Sequence, residues 1–270
     1  MDSAYAGPPF VLSELSHAYG PRVHVLADPF SLTLLARLCH PTTTQPAFNR
    51  WIVTLYRHLF TQVVSHRFPR AHQRSETRMR AVTERGVLEG SWLAPSPEVV
   101  SVAIARAGIL PSQVCFDLCN ELFDPSGIRQ DHVTMSREVD SAGKVVGSRF
   151  FGEKVGGPID GKIVIYPDPM GATGKSVATA IRHYREHYGA APAALLVLHL
   201  IVTPQALETL LEADPDVEVY ALRLDRGASP DEVLSLQPGE AWGRESGLSD
   251  QDYIVPGGGG FGELMNNTEG

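Results

Sequence analysis

The sequence predicts an α/β protein: a mostly parallel sheet flanked by helices, behind an N-terminal helical arm. Three observations carry this expectation. Short β-rich runs alternate with helix-length segments from about residue 98 to residue 224. One run, Val99-Val-Ser-Val-Ala-Ile-Ala105, reads as a strand buried in a core. The apolar run Lys162-Ile-Val-Ile165 passes through a tight acidic and glycine-containing turn into the helical pattern Ser176-Val-Ala-Thr-Ala-Ile181. Strands separated by helices of this length imply parallel neighbours, covered on both faces.

Taken in order, the first twenty residues read as an arm. Helical periodicity follows over 31–39 and, more strongly, over 48–66, where Trp51, Ile52, Leu55, Tyr56, Leu59, Phe60 and Val63 share one face. The expected elements after the 99–105 strand are a helix over 111–122 and strands over 130–136, 144–150 and 162–166. A helix over 174–188, a strand over 194–201, a helix over 204–213 and a strand over 217–222 complete the series. The polar stretch 225–251, with Pro230 and Pro238, reads as a long surface loop placed where it can cover a pocket. It ends at Asp252-Tyr-Ile-Val-Pro-Gly-Gly-Gly-Gly-Phe-Gly262, whose glycines permit a close approach of backbone to ligand. The expectation is one domain over 1–270: arm and helices in 1–95, α/β core in 96–224, insertion and ligand-binding segment in 225–270.

Composition sets the bounds. A chain of 270 residues with 43% hydrophobic and 20% charged content builds a substantial soluble core. A net charge of −8 argues against nucleic acid as a partner, which needs a basic face, but not against a small polyanion in a positive pocket. Three cysteines make no disulfide framework; Cys115 and Cys119, four apart, read as core residues rather than metal ligands. His183 and His187, also four apart, stand among Arg182, Arg185 and Glu186 and read as a solvated helix face. The N-terminus has no charged-then-apolar signal pattern, and the apolar run 190–202 is too short to cross a bilayer. The expected setting is the cytoplasm, with no membrane contact.

The stretch Tyr166-Pro-Asp168-Pro-Met-Gly-Ala-Thr-Gly-Lys175, followed by Ser176, carries the chemistry. A turn between a strand and a helix N-terminus offers several backbone N–H groups and the positive end of the helix dipole to one anion. Gly-Lys-Ser at 174–176 invites a nucleotide triphosphate reading, but the glycine that a P-loop needs five positions before Gly174 is Pro169. Proline has no N–H and a fixed φ, so this turn cannot wrap a triphosphate in that way.

The run Ile163-Val-Ile-Tyr-Pro-Asp168-Pro-Met-Gly-Ala-Thr173-Gly-Lys-Ser176 resembles the sugar-phosphate loop of the type I phosphoribosyltransferases, and within them that of the uracil phosphoribosyltransferase family. Ile104-Ala-Arg106-Ala-Gly108, Ser136-Arg137-Glu138 and Tyr253-Ile-Val-Pro-Gly257 resemble further family segments in the same order, as does Asp214-Pro-Asp-Val217. The resemblance spans about residues 23–264 and implies the type I phosphoribosyltransferase fold with a small hood region.

What the resemblance implies is transfer of a phosphoribosyl group from 5-phosphoribosyl-1-diphosphate (PRPP) to uracil, giving UMP and diphosphate. Asp168, Arg106 and Arg137 are the implied catalytic residues. Asp168 orients the ribose hydroxyls, and the two arginines meet the diphosphate charge, which guanidinium forks suit. The implied PRPP site is Arg106, Arg137, Asp168, Pro169, Met170, Gly171, Ala172, Thr173, Gly174, Lys175 and Ser176. Tyr253, Ile254, Gly259, Gly260 and Phe261 are implied to meet the base, mainly through backbone groups. Small Ala172 fits a pyrimidine-type relative. Mg²⁺ is the implied cofactor, carried by PRPP rather than ligated directly by protein. A homodimer or higher oligomer and GTP as an effector are also implied.

One segment departs from the family pattern. Where the family reads Gly-Leu-Gly-Asp-Ala-Gly-Asp-Arg, this chain reads Gly257-Gly-Gly-Gly260-Phe-Gly-Glu263-Leu264. The change removes a carboxylate at 260 and sets Phe261 beside the base. Two further readings therefore stand open: PRPP-dependent transfer to another acceptor in specialised metabolism, and a catalytically weak PRPP- or nucleotide-binding regulator.

Overall fold

Five consecutive buried residues, Ile163–Pro167, form a strand at the heart of the sheet in the computed structural model. The structure describes residue 7 and residues 10–139 and 145–268, excluding the side chains of 136–139 and 145–149.

The elements run β1 (Val23–Val25), α1 (Pro29–Leu38), α2 (Ala47–Arg67), β2 (Arg70–Glu76), β3 (Val87–Leu93), β4 (Val99–Ala105) and α3 (Ile109–Leu122). There follow β5 (Ile128–Val139), β6 (Val145–Lys154), β7 (Ile163–Pro167), β8 (Met170–Gly171), α4 (Lys175–His187) and β9 (Ala194–Val202). The chain closes with α5 (Pro204–Ala213), β10 (Val217–Leu224), α6 (Asp231–Leu234) and α7 (Phe261–Asn266).

The main sheet has the order β1-β10-β9-β7-β4-β5-β6, with the short β8 also paired to β9. Every pair is parallel except β5–β6, which is antiparallel. Residues of α1, α2 and α3 pack into one apolar layer, and residues of α4 and α5 into a second, so helices cover both faces as expected. Strand order reverses between β4 and β7: the chain leaves β4 toward β5 and returns to β7 on the other side. The carboxyl ends of strands flanking such a reversal form the crevice where open α/β sheets bind ligands.

Several expectations hold closely. Strand 99–105 and helix 204–213 match β4 and α5 residue for residue, and Cys115 and Cys119 lie fully in the core. Other parts differ for identifiable reasons. The hairpin β2–β3 was not foreseen, because its strands carry no apolar alternation and lie mostly at the surface. His183 is not simply solvated: its Nε2 lies 2.8 Å from Glu153 Oε2, and its ring packs on Phe150. The stretch 225–251 stays largely at the surface, as expected, but it carries the short helix α6 and is pinned by a few buried residues. Glu245 is buried and holds Arg226 at 2.8 Å, the Gly239 N–H at 2.8 Å and the Tyr19 hydroxyl. Trp242 donates to the Pro204 carbonyl at 3.1 Å and meets Tyr19 edge-on. The described part of the N-terminal arm is thus tied to the insertion, with Tyr19 4% exposed between them. Among the described residues no helix is long and apolar enough to cross a membrane.

Candidate functional site

The turn after β7 is built by tying its carbonyls down to β9. Pro169 O accepts from the N–H groups of Leu200 and Ile201, both at 3.1 Å. Gly171 O accepts from Thr203 N at 3.0 Å, and Ala172 O from Thr203 Oγ1 at 2.6 Å. Thr203 Oγ1 also caps α5 by accepting from Ala206 N at 3.1 Å. A trans peptide points its N–H away from its carbonyl, so with Ala172 O bound below, the Thr173 N–H turns to the other side. Gly174 then takes the left-handed φ of 71° at the N-cap of α4. A methyl group there would lie 3.0 Å from Ala206 O, so both conformation and space ask for glycine. The result is a helix N-terminus with an adjacent backbone cradle, the arrangement that suits a phosphate.

Asp168 stands at the mouth of this turn, half-buried, with Oδ1 accepting from Met170 N at 3.1 Å. Its second oxygen leaves capacity for a sugar hydroxyl. The neighbouring strand end, β4, delivers Arg106 through the cis peptide Ala105–Arg106. A methyl group on Gly108 would lie 2.8 Å from Ile104 O and 3.1 Å from Pro167 O, so glycine lets this turn close against the end of β7. Arg106 is exposed; its Nη1 donates to Thr268 Oγ1 at 2.8 Å and its Nη2 lies 3.3 Å from Glu263 Oε1.

A cavity of about 500 Å³ joins these parts. Asp168, residues 170–176 and Arg106 line it together with Tyr253, Ile254 and residues 259–261. The expected donor and acceptor segments, some 80 residues apart in sequence, thus share one space. Pro169 does not line it: its ring is buried, and its carbonyl serves the sheet. The side chain of Arg137 lies outside the described residues; its backbone is in β5, beyond the last residue paired with β4. None of the described residues of 225–251 lines the cavity, so the insertion braces the fold beside the pocket rather than covering it.

The acceptor segment is held from beneath by charged side chains. Arg223, at the end of β10, makes two bonds of 2.7 Å to buried Asp225. Together they clasp Gly257: Arg223 Nη2 donates to its carbonyl at 2.8 Å, and its N–H donates to Asp225 Oδ2 at 2.8 Å. Gly257 and Gly259 have positive φ of 58° and 81°. A methyl group on Gly258 would stand 2.7 Å from Cys39 Sγ and 2.7 Å from the Phe261 ring, while one on Gly260 would run into the Glu263 carboxylate. Phe261 lines the cavity, and its ring, 1% exposed, also packs edge-on against Phe48 at 5.1 Å, so it anchors α7 to the core.

Four residues of this arrangement were not singled out from sequence: His199, Arg223, Asp225 and Glu263. His199 offered a signal, as the sole polar residue of an otherwise apolar strand, Ala-Leu-Leu-Val-Leu-His-Leu-Ile-Val. Glu263 lines the cavity and places a carboxylate beside Gly260, close to where one was missed. Arg223 and Asp225 gave no signal, because an Arg-x-Asp at a strand end reads equally well as a solvated edge.

Comparison with known proteins agrees with this geometry. The family model described as uracil phosphoribosyltransferase matches residues 25–241. The uracil phosphoribosyltransferase of Rhodococcus jostii (strain RHA1) is 25% identical over 247 residues, which cover 92% of this chain and 99% of the relative. That of Acidovorax sp. (strain JS42) is 26% identical over the same shares. The solved structure of the AQ2163 protein from Aquifex aeolicus matches 90% of this chain and 97% of its own with a TM-score of 0.67 at 19% identity, which shows a shared fold. The chain therefore belongs to the uracil phosphoribosyltransferase family and is a pentosyltransferase that moves a phosphoribosyl group onto a nucleobase.

Proposed function

We propose that the protein converts uracil and PRPP to UMP and diphosphate. The observation that carries this reading is the single cavity shared by the phosphate cradle at 172–176, the Asp168 carboxylate and the Tyr253–Ile254 and 259–261 turn. In this reading the backbone of Thr173–Ser176 and the Thr173 and Ser176 hydroxyls receive the 5-phosphate. Asp168 accepts hydrogen bonds from the ribose hydroxyls and fixes the face of the sugar. As the C1–O bond to diphosphate breaks and the bond from C1 to the uracil nitrogen forms, negative charge grows on diphosphate. Arg106 stands at the strand end next to Asp168 to meet that charge, and Arg137 is assigned the same work by family resemblance. The nitrogen gives up its proton in the same exchange, to the departing diphosphate or to water. The backbone of Gly259 and Gly260, which line the cavity, suits the in-plane donors and acceptors of a small planar base.

Magnesium fits the same reading. Asp168 and Glu263 are hard oxygen acceptors lining the cavity, and Mg²⁺ binds proteins through few such groups while keeping waters and phosphate oxygens. It would supply charge neutralisation on the diphosphate. Homo-oligomers and a GTP effector rest on family resemblance alone.

The Gly258–Glu263 segment favours a second reading, transfer to a different acceptor. Glu263 fills the space that a side chain at 260 would take, which puts a carboxylate on this wall of the cavity. One assay separates the two: purified protein with PRPP, Mg²⁺ and a panel of bases, followed by diphosphate release and product identity. UMP formed at ordinary enzyme rates supports uracil as the acceptor. Diphosphate release with another base only moves the assignment to that base, and PRPP binding without turnover on any base contradicts both.

A further inference from the structure

Beneath the phosphate loop lies a histidine to which the transfer reaction assigns no part. His199 sits in β9 and is 1% exposed. Its Nδ1 is 2.6 Å from the backbone carbonyl of Asp168. A carbonyl oxygen only accepts, so Nδ1 carries the hydrogen. Burial holds the imidazole below its ordinary range, which keeps it neutral and leaves Nε2 as a bare acceptor. That nitrogen has no hydrogen-bond partner among the described residues, and the ring lines the cavity floor.

The other side of the ring meets Gly171. A methyl group there would lie 2.8 Å from His199 Cδ2, 2.9 Å from Nε2 and 3.0 Å from Val202 Cγ2. Gly171 is therefore a matter of space: the imidazole occupies the volume that a side chain at 171 would need. The ring touches the turn twice, at the Asp168 carbonyl and at the Gly171 α-carbon. Backbone N–H groups of β9 and the N–H and hydroxyl of Thr203 hold the later carbonyls of the turn, and the Asp168 carbonyl takes its hydrogen bond from the His199 side chain.

We infer that His199 is a positioning residue for the phosphoribosyl donor, fixing the Asp168 carboxylate and the path of the loop through this hydrogen bond and its fit against Gly171. The inference rests on the reading of 168–176 as the donor loop. It differs from a packing role, which any apolar side chain of similar size would fill.

The test uses the full chain, PRPP binding by calorimetry with Mg²⁺, and thermal unfolding. His199→Asn keeps an N–H near the Nδ1 position and is expected to bind PRPP within about twofold of the wild type. His199→Val removes the donor group and is expected to weaken PRPP binding about tenfold, the loss of one buried hydrogen bond. With turnover, that loss appears in the KM for PRPP and leaves the KM for the base unchanged. Gly171→Ala alone is expected to lower the unfolding temperature, and His199→Val in the same chain to restore most of that loss, because the space is then free. A folded His199→Val protein with wild-type PRPP affinity overturns the inference alone, as does an additive double variant. Wild-type protein that binds no PRPP overturns the donor-loop reading, and this inference with it.

Discussion

The loop at 168–176, proposed to hold the donor, and the turn at 254–260, proposed to hold the acceptor, face one cavity, yet they are held in different ways. The loop at 168–176 is fixed by its neighbours in the sheet: β9 backbone and Thr203 take its carbonyls, and α4 begins at its end. Among the described residues the turn at 254–260 has fewer such ties: the bridge between Leu248 and Ile254, and the Gly227 N–H donating to Val255 O at 2.9 Å. Beyond these it hangs on the Arg223–Asp225 clasp of Gly257, while Cys39 and Glu263 occupy the space that side chains at 258 and 260 would need. Backbone ladders tolerate surface substitution, whereas a turn that depends on two side chains changes with each of them.

Substitutions that strike one side only can break this comparison. The largest effect is expected from Asp225→Ala, which strands the guanidinium of Arg223 in a mostly buried place. Removing one partner of a buried pair costs about 3 kcal/mol or more, read by urea unfolding, and the KM for the base should rise while PRPP affinity holds. Next is Asp168→Asn. The amide oxygen can keep the bond from Met170 N, so the unfolding curve should not move, while kcat/KM falls about 100-fold through loss of sugar orientation. Unchanged kinetics would remove Asp168 from the mechanism. Gly174→Ala forces a side chain into a left-handed φ of 71° and should cost about 1–2 kcal/mol, with PRPP binding weakened and base specificity retained. The smallest effect belongs to Glu263→Gln. Its pairing with Arg106 is partly exposed on both sides, so stability should change by less than about 1 kcal/mol. A larger loss would mean that the acceptor turn depends on this pair for its shape.

The same contrast explains what was legible in the sequence. Apolar runs and helix periods place β4, β7, β9, α4 and α5, because buried parallel strands and amphipathic helices write their environment into consecutive residues. The donor loop is local, so one unbroken stretch from Tyr166 to Ser176 announces it. The supports of the acceptor turn are not local. Cys39 reaches Gly258 across more than 200 residues of chain, and nothing in the sequence around either residue marks the meeting. Phe261 shows the limit most clearly: a phenylalanine in a glycine-rich segment reads as pocket bulk, and nothing local announces that its ring also packs on Phe48. The pinning of 225–251 was not legible because it rests on polar groups such as Glu245 and Arg226, which carry no hydrophobic period.

The central claim is that one cavity holds donor and acceptor on these two segments. A crystal structure of the protein with PRPP, Mg²⁺ and uracil tests it most directly. The account predicts the 5-phosphate within hydrogen-bonding distance of the backbone N–H groups of 173–176, the ribose hydroxyls at Asp168 and the base against Ile254 and 259–260. A phosphate bound away from that loop, or a base seated away from the 254–260 turn, would contradict it.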